Sequence, residues 1–315
     1  MTYKLKPIVF AFLAIVFFAT SCKTTKETMV DGSEIQMDQP LENALLWKID
    51  GNGLTTPSYL FGTIHLIDAD DYFLPNGTLA AIDNSKKMVF EIDMNEMSDM
   101  GAMMGMMNKA FMKDNKTLAD LISEEDYKLV EAHFKELGLP LMMLERMKPM
   151  FLTVFASGDM DPMGLQSGSM KSYEMEFLDM AKNANKSVGG LETIEFQMSV
   201  FDSIPYTAQA EMLVETIKKG DTEGSDFEMM TQMYKDQKIS DMVSMISDED
   251  EQLSEYEDVL LSKRNQAWIS GMKKMMAEMP TFFAVGAGHL AGDKGVINLL
   301  KKEGYKLTPI SHNKS

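Results

Sequence analysis

Short apolar runs place strands near both ends of the chain and helices between them. Four runs have the length and the β-branched and aromatic content of buried strands, at 58–65, 87–93, 281–286 and 305–310. Helical patterns at 77–84 and 292–302 separate the two members of each pair. Each end of the chain is therefore predicted to form a strand, a loop, a helix and a second, parallel strand. This pattern predicts an α/β (α+β) fold whose central sheet is built from two βαβ-like units flanked by helices.

Residues 95–280 have the three- and four-residue apolar spacing of helices. Breaks at 138–140, 159–168 and 189–190 divide this segment, and Ser123 is predicted to cap one of its helices. The sequence therefore predicts a long helical insertion between the two βαβ-like units.

One helix of the insertion is rich in methionine. Its apolar stripe repeats at i, i+3, i+7, i+10 and i+14, through Met97, Met100, Met104, Met107 and Phe111. Thioether binding of copper(I) is one interpretation. A flexible face that packs on the domain or grips an apolar peptide is favoured, because methionine is enriched along the whole chain, with 32 residues. Glycines at 101 and 105 loosen this helix, which suggests that it is a mobile lid over the functional site of the protein.

Two Gly-x-x-His elements end matching apolar runs, GTIH at 62–65 and GAGH at 286–289. They hold two of the four histidines in 315 residues, 224 positions apart. A glycine three residues before histidine suits a sharp turn out of a sheet, where backbone and ligand approach closely. Ligands collect where the carboxyl ends of parallel strands meet. The two elements therefore predict one site assembled from both ends of the chain.

The other two histidines are not predicted to bind a ligand. His133 shares a helical stripe with Leu129 and Leu137, so it is interpreted as a packing or surface histidine. His312 lies in the polar tail and is interpreted as a bystander.

The N-terminus has the pattern of a secretory signal. Lys4 and Lys6 precede an apolar run at 7–19 that is too short for a stable membrane span. Small residues lead into Cys22, the only cysteine, and resemble a bacterial lipobox in which this thiol carries diacylglycerol. Lys23 fits delivery to the outer membrane. The sequence thus predicts a protein of the bacterial cell envelope, anchored in the lipid bilayer through Cys22; a plain signal peptide cleaved elsewhere is the alternative.

The predicted organisation is a signal peptide at 1–21, a lipidated tether at 22–42 and a domain at 43–312, with the helical insertion at about 95–280. The formal charge is −18, and removing the signal with its two lysines leaves −20. Such an acidic chain repels phosphate backbones and anionic lipid. Nucleic acid is therefore excluded as a partner, and attachment to a membrane would depend on the lipid.

Five segments together resemble the successive motifs of the TraB/GumN family. They are SYLFGTIH at 58–65, FEID at 90–93, GLET at 190–193 with Gln197, RN at 264–265 and VGAGHL at 285–290. The resemblance covers about 43–310 and implies a fold like that of the erythromycin-esterase and ChaN-like group. Tiki members of the family are described as divalent-metal-dependent proteases that use both Gly-x-x-His motifs and a glutamate. The chain differs where relatives commonly have Gly-hydrophobic-Asp, since Ser172-Tyr173-Glu174 stands there.

The residues themselves suit a divalent metal such as Mn²⁺, Co²⁺ or Zn²⁺, held by His65, His289 and an acidic ligand. Glu91 is the first choice for that ligand, because a carboxylate inside an apolar strand needs a cation or hydrogen-bond partners. A strand-end acid that is paired with Arg264 or exposed to water is the alternative. Glu192 is predicted to be a second ligand or the general base, or else a carboxylate at a helix start.

These residues predict metal-assisted hydrolysis of an amide bond, with a peptide or protein as substrate. Arg264 would stabilise the developing oxyanion, unless it is merely solvated. A binding lipoprotein that captures a peptide, a metal or haem without catalysis is a second hypothesis. Ester or ring-opening hydrolysis of a small molecule is a third.

Overall fold

The computed structural model describes residues 41–94, 100–156, 162–223, 226–248 and 256–310. The strands are β1 Leu46–Gly51, β2 Ser58–Thr63, β3 Ile67–Asp68, β4 Lys87–Ile92, β5 Met170–Lys171, β6 Ser187–Glu192, β7 Thr281–Gly286 and β8 Tyr305–Pro309. The α-helices are α1 Thr78–Asn84, α2 Met100–Ala110, α3 Glu124–Glu136, α4 Leu141–Leu144, α5 Pro149–Ala156, α6 Pro162–Ser167, α7 Tyr173–Asn183, α8 Ile194–Val200, α9 Tyr206–Glu223, α10 Asp226–Lys235, α11 Ile239–Asp248, α12 Lys263–Glu278 and α13 Val296–Lys302.

Six strands form the central sheet, in the order β6-β4-β7-β2-β1-β8. β1 pairs antiparallel with both of its neighbours, and the other five strands all run in one direction. Helices flank this sheet, so the predicted α/β class is confirmed. The carboxyl ends of β2, β4, β6 and β7 lie at the same end of the sheet. Ligands of parallel sheets collect at this end.

Both predicted strand, helix and strand units are present, and they interlock. β2, α1 and β4 form the first unit, and β7, α13 and β8 form the second. β7 lies between β2 and β4, so the last third of the chain completes the middle of the sheet. β1 was not predicted from the sequence. Its hairpin with β2 turns through Asn52 and Gly53, both with positive φ.

The predicted break between helices at 189–190 is wrong. These two glycines lie inside β6, opposite Val89 and Phe90 of β4. Glu192 is the last residue of this strand, and the following helix is capped by the Thr193 side chain, which accepts a hydrogen bond from the Phe196 amide. The segment predicted as a helical insertion therefore supplies an edge strand of the central sheet. The predicted cap at Ser123 is confirmed, since its hydroxyl accepts from the Asp126 amide at 3.1 Å.

Gly190 is required by a close approach of β6 to the end of β4. A Cβ atom at Gly190 would lie 2.3 Å from the Asp93 amide nitrogen and 2.7 Å from the Ile92 carbonyl carbon. A Cβ atom at Gly189 would lie 3.0 Å from Cε of Lys87, the far end of a flexible side chain. The clash at Gly190 is with backbone atoms, whereas the contact at Gly189 is with a side chain that can move. A larger residue is therefore expected to be tolerated at 189 and not at 190.

We expect Gly190→Ala to lower the free energy of unfolding by about 2–3 kcal/mol, because the new Cβ must push the end of β4 away. Gly189→Ala is the matched control and is expected to stay within about 1 kcal/mol. Urea denaturation of both variants checks this. Equal losses would contradict the close approach of β6 to β4.

The aromatic core anchors α7 on the sheet. Phe177 of α7 packs edge-on against Phe61 of β2 and Phe282 of β7, with ring centroids 5.0 and 5.4 Å apart. Tyr173, at the start of the same helix, is also fully buried. This packing fixes the first turn of α7 near the carboxyl end of β2.

Several sequence predictions lie outside the described residues, namely the signal peptide, Cys22 with its tether up to residue 40, Met97 and His312. Met104 and Met107 of the methionine stripe lie on α2 and are exposed. Within the described ranges, no helix is long and apolar enough to span a membrane.

Candidate metal and catalytic site

The two Gly-x-x-His loops leave the sheet side by side. β2 and β7 are parallel neighbours, and Thr63 of the first motif lies opposite Gly286 of the second. His65 follows β2 by two residues, and His289 ends the 3-10 turn Ala287–His289 that follows β7. The order of strands in the sheet therefore brings together two histidines that are 224 positions apart.

The glycine of each motif allows a close approach of neighbouring groups. A Cβ atom at Gly62 would lie 3.2 Å from Ala287 and 3.0 Å from a methyl of Leu290, both in the second loop. A Cβ atom at Gly286 would lie 3.2 Å from Oε1 of Glu91. These glycines let the two loops pack against each other and against the Glu91 carboxylate.

His289 is buried, and its tautomer is fixed by Asn265. The Asn265 amide nitrogen donates to the Lys294 carbonyl at 3.0 Å, so its oxygen faces Nδ1 of His289 at 2.6 Å. A hydrogen bond to that oxygen requires the ring proton on Nδ1. Nε2 therefore carries the lone pair, and it lies 3.2 Å from Nη1 of Arg264 and 3.6 Å from Oε1 of Glu91. An imidazole oriented by a carbonyl acceptor in this way is typical of metal-binding histidine.

Glu91 lies in β4, and its carboxylate points at the second histidine loop. Oε1 accepts from the Gly286 amide at 2.8 Å, while Oε2 accepts from Arg264 at 2.6 Å and from Gln197 at 3.2 Å. Burial raises the pKa of Glu91, but His289, Arg264, His65 and the Gly286 amide outweigh it and lower this pKa to about 2. The carboxylate is therefore ionised at neutral pH.

Arg264 connects the two predicted carboxylates. From α12 it donates to Glu91 and Glu192, at 2.6 Å each, and to the Leu260 carbonyl at 3.0 Å. Burial lowers the pKa of Arg264, but the two carboxylates outweigh it and raise this pKa above its ordinary value. Arg264 is thus a buried and paired arginine, not a solvated one.

Glu192 has both oxygens occupied. Oε1 accepts from Nη2 and Nε of Arg264, at 2.6 and 3.1 Å, and Oε2 accepts from the indole nitrogen of Trp268 at 3.0 Å. Its side chain is only 4% exposed. The Trp268 ring also packs on His289, with centroids 4.5 Å apart. Glu192 and Trp268 thus fix the arginine and the histidine from one side.

His65 lies on the open side of the site, beside an acid to which the sequence assigned no role. Its side chain is 71% exposed, and Nδ1 is 3.8 Å from Oε1 of Glu174. Glu174 stands in the first turn of α7 and accepts from the hydroxyls of Thr63 and Ser172, at 2.7 and 3.0 Å. The altered motif at 172–174 therefore still places a carboxylate beside the first histidine.

Gln197 and Asn265 were recognised only as parts of motifs, yet each hydrogen-bonds a predicted ligand. Their position next to motif residues was the one signal for them in the sequence. His133, by contrast, hydrogen-bonds the Ala156 carbonyl at 3.3 Å in the helical segment, as expected for a packing histidine.

The donor set fits a divalent cation chemically. It offers the Nε2 lone pair of His289, the ionised Glu91 and the exposed imidazole of His65 with Glu174 beside it. The carboxylates of Glu91 and Glu192 pair with the guanidinium of Arg264, and the Glu174 carboxylate lies beside His65, so these groups together carry more negative than positive charge. Within the described ranges, however, no three His, Cys, Asp or Glu side chains are close enough together to form a metal site.

The buried histidine makes stability depend on pH. Burial lowers the pKa of His289 to about 4, with Glu91 opposing and Arg264 and His65 adding to the shift. Between pH 6.5 and 4 the unfolded chain binds a proton at this position and the folded chain does not, so stability falls as pH falls.

We expect the metal-free protein to lose up to about 3 kcal/mol of unfolding free energy from this histidine between pH 7 and pH 4. Guanidinium denaturation at several pH values measures the loss. His289→Gln should remove that part of the pH dependence, and an unchanged slope in this variant would contradict a neutral buried His289.

Curated relatives of this chain are named metalloproteases. Metalloprotease TIKI1 of Danio rerio is 23% identical over 324 residues, covering 84% of this chain and 63% of that protein. Metalloprotease TIKI1 of Homo sapiens is 21% identical and covers 87% and 63%. Metalloprotease TIKI2 of Danio rerio is 21% identical and covers 94% and 66%. The chain thus spans less than two thirds of the length of the TIKI1 relatives, and no solved structure matches it.

The sequence profile of the TraB/PrgY/gumN family matches residues 45–309, from the start of the β1 region to the end of β8. Both Gly-x-x-His loops, Glu91, Glu192 and Arg264 lie inside the match. The chain therefore belongs to the TraB/PrgY/gumN family.

Proposed function

We propose that this chain is a metal-dependent hydrolase that cleaves peptide bonds where the two Gly-x-x-His loops meet. One observation carries the proposal. Asn265 holds His289 as a neutral imidazole whose Nε2 lone pair lies 3.2 Å from Nη1 of Arg264 and 3.6 Å from the ionised Glu91, and the exposed His65 leaves the sheet from the neighbouring strand. Ion pairing alone does not need a histidine whose tautomer is fixed in this way.

His65, His289 and Glu91 would hold the ion, with Mn²⁺, Co²⁺ and Zn²⁺ as candidates, and their side chains would have to move closer together than they lie in this structure to do so. When bound, the ion would acidify a water molecule and polarise the scissile carbonyl. The negative charge of the site supports the binding of such a cation.

The protein's own groups supply the remaining chemistry. Arg264 would stabilise negative charge on the substrate carbonyl oxygen, because its guanidinium is the positive charge next to both His289 and Glu91. Glu192 accepts hydrogen bonds on both oxygens, so we assign it the role of holding Arg264. Glu174 lies on the open side next to His65, so it is the carboxylate placed to take a proton.

Peptide is proposed as the substrate because relatives of the chain are named metalloproteases. The open position of His65 supports access by an extended chain. We further propose that a lipid on Cys22 attaches the protein to the envelope of a bacterial cell, at the outer membrane, where it would meet peptide or protein substrates.

The test is cleavage of a peptide library by the full-length chain purified in detergent, with each candidate ion and with a chelator. We expect cleavage only with the ion, and loss in His65→Ala and His289→Ala. His133→Ala is the matched control and should retain activity, since that histidine lies in the helical segment. Ion binding with retained but uncleaved peptide would instead support a binding protein, and cleavage of esters alone would support a small-molecule hydrolase.

A further inference from the structure

Two consecutive residues of α10 contact the first Gly-x-x-His loop on either side of His65. Before His65, the Tyr234 hydroxyl donates to the Gly62 carbonyl at 2.9 Å. After His65, Lys235 forms an ion pair with Asp71. The exposed histidine is therefore carried on a loop that is attached at both ends to the last turn of one helix.

The Tyr234 contact is strong because it is buried. The residue is fully buried, and its ring packs against Phe73 and Tyr173, with centroids 6.0 and 5.4 Å away. Burial raises the pKa of Tyr234 well above its ordinary value, so the hydroxyl remains a donor. Breaking this hydrogen bond would leave a buried polar group without a partner.

Gly62 is also held from its other sides. Its amide donates to the Leu45 carbonyl at 2.9 Å, and the Leu45 amide donates to the Gln237 side chain at 3.1 Å, just beyond the end of α10. A Cβ atom at Gly62 would lie only 3.2 Å from Ala287 of the second motif, so the two loops are in close contact there. A shift of Gly62 would therefore change the spacing between the two histidine loops.

We propose that the C-terminal end of α10 sets the position of His65 relative to His289, with Tyr234 and Lys235 as positioning residues. Helix α10 belongs to the helical segment, so this segment also controls the geometry of the site. The kinetic consequence rests on the proposed function, whereas the structural consequence does not.

The structural consequence can be measured on the histidine rings. The chain has four histidines, so labelled imidazoles give four resolvable sets of NMR signals, and His65→Ala and His289→Ala assign the two of interest. We expect Tyr234→Phe, which removes one oxygen and keeps the ring, to move or broaden the His65 signal. An unmoved His65 signal in a folded Tyr234→Phe protein would overturn the proposal.

Ser85→Ala is the matched control. Ser85 is fully buried, and its hydroxyl donates to the Ala81 carbonyl at 2.9 Å. It lies just before β4 begins, at the end of the sheet opposite the site. This variant also loses a buried hydroxyl-to-carbonyl bond, but should leave the His65 signal in place. An equal displacement in both variants would reduce Tyr234 to a general stability role.

Charge exchange tests the second contact. Lys235→Asp should displace the His65 signal, and adding Asp71→Lys should return it. Failure of the double variant to restore the signal would remove Lys235 from the proposal.

The kinetic readout separates the two proposals. We expect Tyr234→Phe to lower kcat by about 10- to 100-fold with KM within about twofold, as for residues that orient a site. An unchanged kcat would overturn the kinetic part. If the wild-type chain hydrolyses nothing, the proposed function fails, and the imidazole signals alone decide whether α10 positions His65.

Discussion

Replacing Arg264 by methionine is expected to lower the free energy of unfolding by about 3–5 kcal/mol, because it leaves buried carboxylates without their counter-charge. Arg264 binds Glu91 and Glu192 at 2.6 Å each, and these side chains are only 13% and 4% exposed. Lysine should not substitute fully, since one ammonium group cannot reproduce a fork that also reaches Leu260. Urea denaturation at neutral pH measures the change.

Arg146 is the control for this change, as the other of the two arginines in the chain. It is exposed and donates to the Asn115 side chain at 2.8 Å. Arg146→Met should change the unfolding free energy by less than about 1 kcal/mol. In the triple variant Arg264→Met, Glu91→Gln and Glu192→Gln, part of the lost stability should return. If Arg264→Met cost no more than Arg146→Met, the buried ion-pair network would be refuted.

Glu91→Gln is expected to reduce hydrolysis by on the order of 10³-fold while the fold is retained. Glutamine can still accept from the Gly286 amide, but it brings no negative charge to the cation site beside His289. Initial rates at saturating metal, with kcat and KM determined separately, measure the effect.

Glu195→Gln serves as the control, because this exposed glutamate lies in the first turn of α8 near the site but outside it. Its kcat should equal that of the unchanged chain. A Glu91→Gln enzyme with full activity would show that the carboxylate only pairs with Arg264, which was the alternative interpretation of this residue.

Local apolar patterns predicted the strands that form the two interlocked units. The run at 281–286 is observed with the same bounds as β7, and the run at 87–93 is observed as β4. Such runs are long, apolar and bounded by turn residues, so the pattern itself marks them. The position of β7 between β2 and β4 is a tertiary arrangement that no local pattern contains.

The strands that were missed have weaker patterns. β6 contains Gly189 and Gly190, which weaken a strand pattern and indicated a break. Only the close approach of β6 to the end of β4, seen in the structure, explains why a glycine is needed at 190. β1 mixes Lys48 and Asp50 with apolar residues, and it lies near the polar segment predicted to be a tether.

The composition and motifs placed His65, His289, Glu91 and Arg264 in one predicted site. The strand order brings the first three to one end of the sheet, and helix α12 adds Arg264. The partners of these residues could not be predicted. Glu174 reaches His65 only because α7 is anchored by buried aromatic rings on β2 and β7. Glu192 is directed at Arg264 and Trp268 by its place at the end of a strand that was not predicted.

Metal stoichiometry tests the central claim most directly. After dialysis of the full-length chain against Mn²⁺, Co²⁺ or Zn²⁺, elemental analysis should find one ion per chain. The His65→Ala, His289→Ala double variant should bind none, and His133→Ala should bind as the unchanged chain does. A chain that binds none of these ions, or a double variant that binds as much as the unchanged chain, would contradict a metal centre at the two Gly-x-x-His loops.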